Sequence, residues 1–349
     1  MSTIQEVMVR KEYVRWLHVN LMEKLAGRLV PDQKKRYEAL NCLERWLVTL
    51  ANISGTEDAI FTLEKLAPGS ESIEKFRQEV KGKNIDKADN FVEGCVYLAS
   101  AFAKLDDSVF ENGVTDVAIN DNNVVVTDGK NDRYSRELPH TVVPNLTRLA
   151  IGSGSEDPAN DIAKMAMRYS SLLPRGQQWN IPLAVYSLLV EKYGVTIEGF
   201  ASPINSQIIR LGNYNFCSLF PDTDWRFGSI GSFFNQKFDN VTVMANPPYV
   251  LSVMDEMSRH IIRCFDSSTN LRFIICMSDW KDTEYYQTFS QSQYTKTIIE
   301  LGRHYFENSN NNGERILSKF RTLVIVLSKG YPDLDYDEFE RDVRKAYTP

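Results

Sequence analysis

The chain lacks the features that mark several common classes of protein. Its five cysteines are scattered, with no close pair and an odd count, which argues against a disulfide framework and against a zinc site. No apolar run approaches the length needed to cross a bilayer, and the first residues lack the basic and then apolar pattern of a signal peptide. We therefore expect a protein that stays inside the cell and makes no contact with a membrane.

Glycine-rich phosphate loops and excess positive charge are missing as well. No Walker-type loop is present, and no G-x-G-x-x-G pattern follows a predicted strand, so ATP chemistry and generic dinucleotide binding receive little support. The net charge is −6, which excludes a generally basic nucleic-acid binder and confines any RNA or DNA site to a local patch. With 43% hydrophobic residues among 349, the chain can fill one large core or two ordinary ones.

The first part of the chain has the spacing of helices. Residues 10–105 repeat apolar side chains at helical intervals, and the runs 114–119 and 124–127 around a polar turn predict a β-hairpin. The polar stretch 151–158, which ends in proline, is the best linker candidate. We therefore predict a helical domain with a β-hairpin at 1–150.

The pattern changes from Val195 onward, where β-rich runs alternate with helical stretches. This alternation predicts an α/β domain at 151–330 with a mainly parallel sheet and helices on both faces. The last residues, 331–349, are rich in acidic side chains and are predicted to form a solvated tail. The predicted strands are 195–201, 216–220, 241–245, 271–277, 297–301 and 322–327.

Residues 246–249 read Asn-Pro-Pro-Tyr directly after one of these apolar runs. A strand that ends in such a rigid loop suits the methylation of a planar amino group, a poor nucleophile that an enzyme must orient. The side-chain oxygen of Asn246 and the carbonyl of Pro247 can both accept hydrogen bonds from an NH2 group. Pro247 and Pro248 fix the backbone, and Tyr249 can stack on a base. The alternative is an ordinary Pro-Pro turn.

Two other predicted strand ends carry side chains that suit a nucleoside-containing cofactor. The loop after the first strand offers small residues for close backbone approach and an Asn amide for an amino acid or a ribose group. The loop after the second offers two carboxylates for ribose hydroxyls, although an Asx-type turn is the alternative. Because doubly wound sheets bind ligands at the carboxyl ends of their strands, we expect all three loops to share one site. The cofactor candidates are Phe200, Ala201, Ser202, Pro203, Asn205, Asp222 and Asp224.

The three blocks 193–205, 220–231 and 245–249 together resemble the methyltransferase core of the phosphorylated-CTD-interacting-factor family. The resemblance implies a Rossmann-like class I methyltransferase sheet with S-adenosyl-L-methionine as the donor. It implies as acceptor the 2′-O-methyladenosine next to the 7-methylguanosine cap of mRNA. It also implies that capped RNA is the partner and the nucleus the location, with the cytoplasm as the alternative.

The chain departs from the family pattern in two ways. Tyr249 stands where the family usually has Phe, and both rings can stack on a base. No three-stranded, Trp-bracketed WW module is visible. We therefore expect no module of this type that binds phosphorylated polymerase tails. The helical region would correspond to the family's helical domain, which helps to form its RNA groove.

Substrate contacts are harder to assign from the sequence. Trp280 and Lys281 follow a strand end and can stack on and pair with a capped nucleotide, although a Trp there is a core residue at least as often. The candidates for phosphate contacts are Arg175 and Arg303, followed by Arg168, Arg315, Lys319 and Arg321. Each of these is as easily explained as a solvated surface charge.

Three rival functions share the motif or the fold. A DNA adenine methyltransferase would have to flip its base out of the duplex, and a glutamine-modifying protein methyltransferase uses the same type of loop. A catalytically inactive cap-binding module would keep the fold, without the activity, as a scaffold for a partner. The intact Asn246 and both prolines argue against the scaffold, because a scaffold has no need of two amine acceptors.

Overall fold

The computed structural model describes residues 4–54, 61–111, 115–128, 133–172, 179–212, 214–309 and 314–348. The chain separates into two compact units, Met1–Arg175 and Gly176–Pro349. None of the helices within the described ranges is both long enough and apolar enough to cross a membrane.

The first unit is mainly helical, as the periodicity predicted. Its sheet is antiparallel, and Asn120 pairs with Asn123 around the predicted hairpin turn. The third strand was not predicted, because its sequence is polar apart from the buried Tyr134. The elements are α1 (Ile4–Leu29), α2 (Gln33–Ser54), α3 (Glu71–Gly82), α4 (Ala88–Ala103), α5 (Ser108–Glu111), β1 (Asp116–Asn120), β2 (Asn123–Thr127), β3 (Arg133–Glu137), α6 (Val142–Gly152) and α7 (Pro158–Ser170).

The division between the units falls after residue 175 rather than after residue 150. The Asp157 side chain accepts from the Asn160 backbone N–H and so caps the start of α7. This helix packs on α1, where the Arg168 guanidinium donates to both carboxylate oxygens of buried Glu12 at 2.7 Å. The stretch 151–158 therefore connects two helices of one unit, and Arg168 is a buried structural cation instead of a phosphate contact.

The second unit contains a six-stranded sheet in the order β6-β5-β7-β8-β12-β9. Strands β6, β5, β7 and β8 run parallel, and β12 lies antiparallel between β8 and β9. A mixed α/β unit with a mostly parallel sheet is what the alternating pattern predicted. The strands of the second unit, which include three outside this sheet, are β4 (Trp179–Asn180), β5 (Val195–Glu198), β6 (Asn215–Phe216), β7 (Val241–Ala245), β8 (Leu271–Ser278), β9 (Thr295–Gly302), β10 (Tyr305–Asn308), β11 (Glu314–Leu317) and β12 (Thr322–Lys329).

Helices connect these strands and cover the sheet. All eight residues of β8 are buried, which explains why its residues 273–277 read as a continuous apolar run. Met254 and Ile261 lie on the buried face of α11 and join the same core as Val243 and Phe273. The helices are α8 (Leu183–Glu191), α9 (Ile208–Leu211), α10 (Pro221–Asp224), α11 (Leu251–Ser267), α12 (Glu284–Ser290) and α13 (Tyr336–Ala346), with 3-10 turns at Trp225–Phe227 and Phe233–Asn235.

A second, three-stranded sheet in the order β11-β10-β4 was not predicted. Its strands are two to four residues long, too short to give a clear alternating pattern. The Glu307 carboxylate on β10 accepts from the Gln207 side-chain amide at 3.0 Å, which ties this sheet to the loop that follows β5.

The residues after 331 form a packed helix rather than a solvated tail. Phe339 and Val343 on α13 are buried at helical spacing, and Tyr347 follows them on the same face. On the exposed face, the Lys192 ammonium donates to Glu338 at 2.7 Å and to Asp342 at 2.6 Å. The acidic composition thus belongs to one side of an amphipathic helix.

Candidate active site

The predicted site residues of the second unit meet at one edge of the large sheet, here called the carboxyl edge. Strands β6, β5, β7 and β8 are parallel, so their last residues lie side by side. Gly302, at the end of β9, and Ser278, at the end of β8, both pair with Thr322. The chain goes from β5 to β6 on one side and then to β7 on the other, so strand order reverses at β5 and β7, where such sheets bind ligands.

The Asn-Pro-Pro-Tyr loop leaves β7 at this point of reversal. Pro247 is buried, whereas Asn246, Pro248 and Tyr249 are partly exposed. The Tyr249 hydroxyl donates to the Asn246 Oδ1 at 3.2 Å. That oxygen keeps a second lone pair, and the Pro247 carbonyl has no hydrogen-bond partner within the described ranges. The loop therefore carries two acceptors of the kind that an amino group needs.

Two aromatic rings lie next to the ring of Tyr249. Its ring meets Phe320 edge-on with centroids 4.9 Å apart, and meets Phe306 at 6.2 Å. Trp280 lies 6.5 Å from Phe320 and is 37% exposed, so it is not a core residue. Burial raises the pKa of the Tyr249 phenol well above its usual value, so the hydroxyl keeps its proton and stays a donor. Sequence reasoning missed Phe306 and Phe320, because one lies on an unpredicted strand and the other in a short loop.

The loop after β5 is held by its own polar groups. The Ser202 backbone N–H donates to the Asn205 Oδ1 at 2.6 Å, and the Asn205 N–H donates to the Ser202 hydroxyl at 3.2 Å. Ser202 and Pro203 are buried, whereas Phe200, Ala201 and Asn205 are partly exposed. The oxygen of Asn205 thus maintains the loop. The group of the Asn205 side chain that is left for a ligand is the amide nitrogen, which donates.

A buried carboxylate that sequence reasoning missed lies beneath this loop. Glu198, the last residue of β5, accepts from the Tyr186 hydroxyl at 2.8 Å, the Ser206 hydroxyl at 2.7 Å and the Gln207 N–H at 3.0 Å. Burial raises the pKa of Glu198 to about 7, against the opposing effect of these hydrogen bonds. The one available signal was an acidic residue inside the predicted strand 195–201.

The structure separates the two predicted carboxylates after β6. Asp224 has no exposed surface and accepts from the Thr223 hydroxyl at 2.9 Å, so it stabilises the turn from inside. Asp222, in the same short helix α10, is partly exposed. Only Asp222 therefore has a surface that a cofactor hydroxyl can reach.

The predicted cations at the carboxyl edge differ in how they are paired. The Lys281 ammonium donates to Glu300 at 2.6 Å, and Arg321 contacts Glu300 at 3.0 Å and Asp279 at 3.3 Å. Arg303, exposed just after β9, donates through Nε to the Ser318 carbonyl at 2.8 Å. It has no carboxylate within 4.0 Å in the part of the chain that the structure describes. Lys281 is thus a paired charge, and its contact with a capped nucleotide stays a prediction. Arg175 lies outside the described residues.

Comparison with known proteins gives one family match. Residues 155–309 match the family model described as "Phosphorylated CTD interacting factor 1 WW domain". This description names a WW domain, whereas we expected no such module. The described part of the matched span runs from α7 to β10 and alternates helices with strands, so the match covers most of the large sheet rather than one short three-stranded unit.

Two curated relatives are similar to part of the chain. The human protein named "mRNA (2'-O-methyladenosine-N(6)-)-methyltransferase" is 32% identical over 147 residues, which are 41% of this chain and 20% of the relative. The mouse protein of the same name is 31% identical over the same lengths. The chain therefore spans about a fifth of the length of these relatives.

Among solved structures, a crystal structure of Thermoplasma acidophilum 1320 aligns with 54% of this chain and 96% of its own, at 11% identity and a TM-score of 0.23. A similarity this low supports no conclusion about the site. The family match includes all three loops of the carboxyl edge. Residues 155–309 are thus similar to the phosphorylated-CTD-interacting-factor family, which is the resemblance that the three loop motifs predicted.

Proposed function

We propose that this chain is an S-adenosyl-L-methionine-dependent methyltransferase that modifies N6 of adenosine next to the cap of mRNA. The observation that carries the proposal is the position of Asn246 and Pro247. Their two acceptors lie at the end of β7, where strand order reverses, within the residues that match the family model. The curated relatives of the chain are named mRNA (2'-O-methyladenosine-N(6)-)-methyltransferase. The sheet would then be a Rossmann-like class I methyltransferase sheet, with β12 as its reversed strand.

The chemistry of the β5 and β6 loops fits the proposed donor. Phe200 and Ala201 leave β5 with partly exposed surface and would line the donor, and the amide nitrogen of Asn205 would face its polar groups. The Asp222 carboxylate would accept from the ribose hydroxyls. When bound, S-adenosyl-L-methionine supplies an activated methyl group, and the residues named here hold it next to the loop after β7.

The role of the Asn-Pro-Pro-Tyr loop is to orient the acceptor. An adenine amine is a weak nucleophile because its lone pair is delocalised into the ring. Two hydrogen bonds, to the Asn246 Oδ1 and the Pro247 carbonyl, would hold the amine so that its lone pair faces the donor. Catalysis would come mainly from positioning and electrostatics, and the methylated amine can lose its proton to water without a protein base.

One experiment separates this proposal from its rivals. The protein is incubated with donor carrying a labelled methyl group and with capped RNA starting in 2′-O-methyladenosine, the same RNA with a 5′ triphosphate, duplex DNA, or protein extract. We expect label on adenosine N6 of the capped RNA, identified by mass spectrometry of the nucleosides. Faster labelling of DNA or of glutamine would replace the proposal with the matching rival, and no labelling of any substrate would favour the scaffold.

Trp280 provides a finer test of cap recognition. Its exposed ring is available to a capped nucleotide, whereas Lys281 is engaged by Glu300. We expect Trp280→Ala to narrow the ratio of rates on capped and triphosphate RNA, and Lys281→Ala to leave that ratio within about twofold, because exposed ion pairs contribute little. An unchanged ratio in Trp280→Ala would remove this residue from the cap site.

A further inference from the structure

A cavity opens at the carboxyl edge beyond the proposed active site. It has a volume of about 280 Å³ and lies around the end of β9 and the last turn of α13. Its wall includes the side chains of Arg303 and Arg344, the ring of Tyr347 and the hydroxyl-bearing Thr348. The sequence did not predict it, because α13 was expected to be a solvated tail.

The positive charge of this cavity comes from Arg303. Arg344 is engaged by the Glu340 carboxylate at 2.6 Å and by the Glu300 carbonyl at 2.9 Å, so its charge is largely compensated. The guanidinium of Arg303 makes only a hydrogen bond to the Ser318 carbonyl and has no carboxylate within 4.0 Å in the described parts of the chain. In a protein of net charge −6, such a cation in a concave wall suits an anionic group.

His304, which lines the cavity, carries a buried hydrogen-bond acceptor without a donor in the described parts of the chain. His304 is 5% exposed, and its Nδ1 lies 3.0 Å from the Tyr305 carbonyl, so Nδ1 must carry the proton. Its Nε2 has no hydrogen-bond partner within the described ranges. Burial lowers the pKa of the imidazole to about 4, which keeps this nitrogen unprotonated at neutral pH. A ribose hydroxyl is a donor of the required kind.

The position of the cavity relates it to Asn246. The ends of β7 and β9 are three strand spacings apart in the order β7-β8-β12-β9, which is roughly 14 Å at the usual separation of strands. An RNA strand whose first adenosine lies at Asn246 would cover this distance with its next few nucleotides. We propose that the cavity binds a phosphate and ribose of that strand through Arg303 and His304, an inference that rests on the proposed function.

The test compares RNAs of two lengths. A capped dinucleotide ends before the cavity, whereas a capped decamer passes it. We expect the unmodified protein to have a KM about tenfold lower for the decamer, and Arg303→Gln to lose this advantage without a change in kcat. The dinucleotide serves as an internal measure of folding and of the active site, because it does not reach the substituted residue.

Arg263→Gln is the matched control. It removes the same charge from α11, near the opposite edge of the sheet, where Arg263 pairs with Glu256 at 2.9 Å. Loss of the decamer advantage in Arg303→Gln but not in Arg263→Gln supports the site. An advantage kept in Arg303→Gln, or lost equally in both variants, overturns it.

Binding without catalysis separates this inference from the proposed function. If no RNA is methylated, fluorescence anisotropy of the labelled capped decamer still reports on the cavity. We expect the Arg303→Gln variant to show a slope of log K against log salt that is smaller by about one than that of the unmodified protein. Equal slopes would overturn the phosphate contact. Equal affinities for RNA and DNA decamers would overturn the assignment of His304 to a ribose hydroxyl.

Discussion

The two halves of the carboxyl edge are built differently. On the side of β5 and β6, the polar groups bind one another: Glu198, Asn205 and Asp224 all accept hydrogen bonds from the protein. On the side of β7 and β9, in the described part of the chain, the Pro247 carbonyl has no hydrogen-bond donor and the Arg303 guanidinium has no carboxylate within 4.0 Å. The first half can hold its shape without a ligand, whereas the second half presents groups that a ligand must satisfy.

The strongest test of this contrast is Asn246→Ala. If Asn246 acts on the acceptor and not on the donor, methyl transfer should fall by two orders of magnitude or more, a loss of roughly 3 kcal/mol of transition-state orientation. Affinity for S-adenosyl-L-methionine should stay within about twofold. Single-turnover kinetics measures the first quantity and calorimetry the second. A large loss of donor affinity would mean that the two halves are not independent.

The sequence predicted those loops of the carboxyl edge that have distinctive residues. Asn-Pro-Pro-Tyr and Phe-Pro-Asp-Thr-Asp follow strands that the apolar runs locate to within a few residues. It could not tell Asp222 from Asp224, since two carboxylates in one turn differ only in which of them the fold buries. It also missed Phe306, Phe320 and the cavity beside Arg303, because these depend on long-range pairing of short strands and on the docking of α13.

The half on the side of β5 and β6 can be tested through Glu198. Its raised pKa makes the stability of the second unit depend on pH. A carboxyl group with a pKa of about 7 when folded and about 4.5 when unfolded binds its proton more tightly in the folded state. Its contribution to stability is therefore fully present below pH 4.5 and is lost as the pH rises through 7. The unmodified protein should lose up to about 3 kcal/mol across this window.

Glu198→Gln isolates this effect, because glutamine cannot ionise and keeps one carbonyl acceptor for Ser206 and Gln207. We expect urea unfolding to give similar free energies for the two proteins at pH 5 and a more stable variant at pH 8. Parallel curves across the whole range would mean that Glu198 is not buried as described. Donor affinity at pH 5 should be unchanged, because the hydrogen bonds beneath the loop remain.

Asp222 and Asp224 sharpen the contrast within a single turn. Asp222→Ala should weaken S-adenosyl-L-methionine binding by about 1.5–3 kcal/mol, the usual value of hydrogen bonds to a charged group, with little effect on unfolding. Asp224→Ala should instead lower the free energy of unfolding by about 1–3 kcal/mol, because the buried Thr223 hydroxyl keeps only its longer hydrogen bond, to the Phe220 carbonyl at 3.2 Å. Calorimetry measures donor affinity and thermal unfolding measures stability in both variants. If Asp224→Ala weakened donor binding and Asp222→Ala lowered stability, the roles assigned to the two carboxylates would be reversed.

The smallest expected effect concerns the Tyr249 hydroxyl, which links the last residue of the acceptor loop to the first. Tyr249→Phe removes a hydrogen bond to the Asn246 Oδ1 but keeps the ring and its edge contacts with Phe306 and Phe320. A neutral hydrogen bond contributes about 0.5–1.5 kcal/mol, so kcat should fall between twofold and about tenfold. Tyr249→Ala also removes the ring and should be far more damaging. If the two variants were equally impaired, the hydroxyl would be the essential group, and stacking by Tyr249 would have to be abandoned.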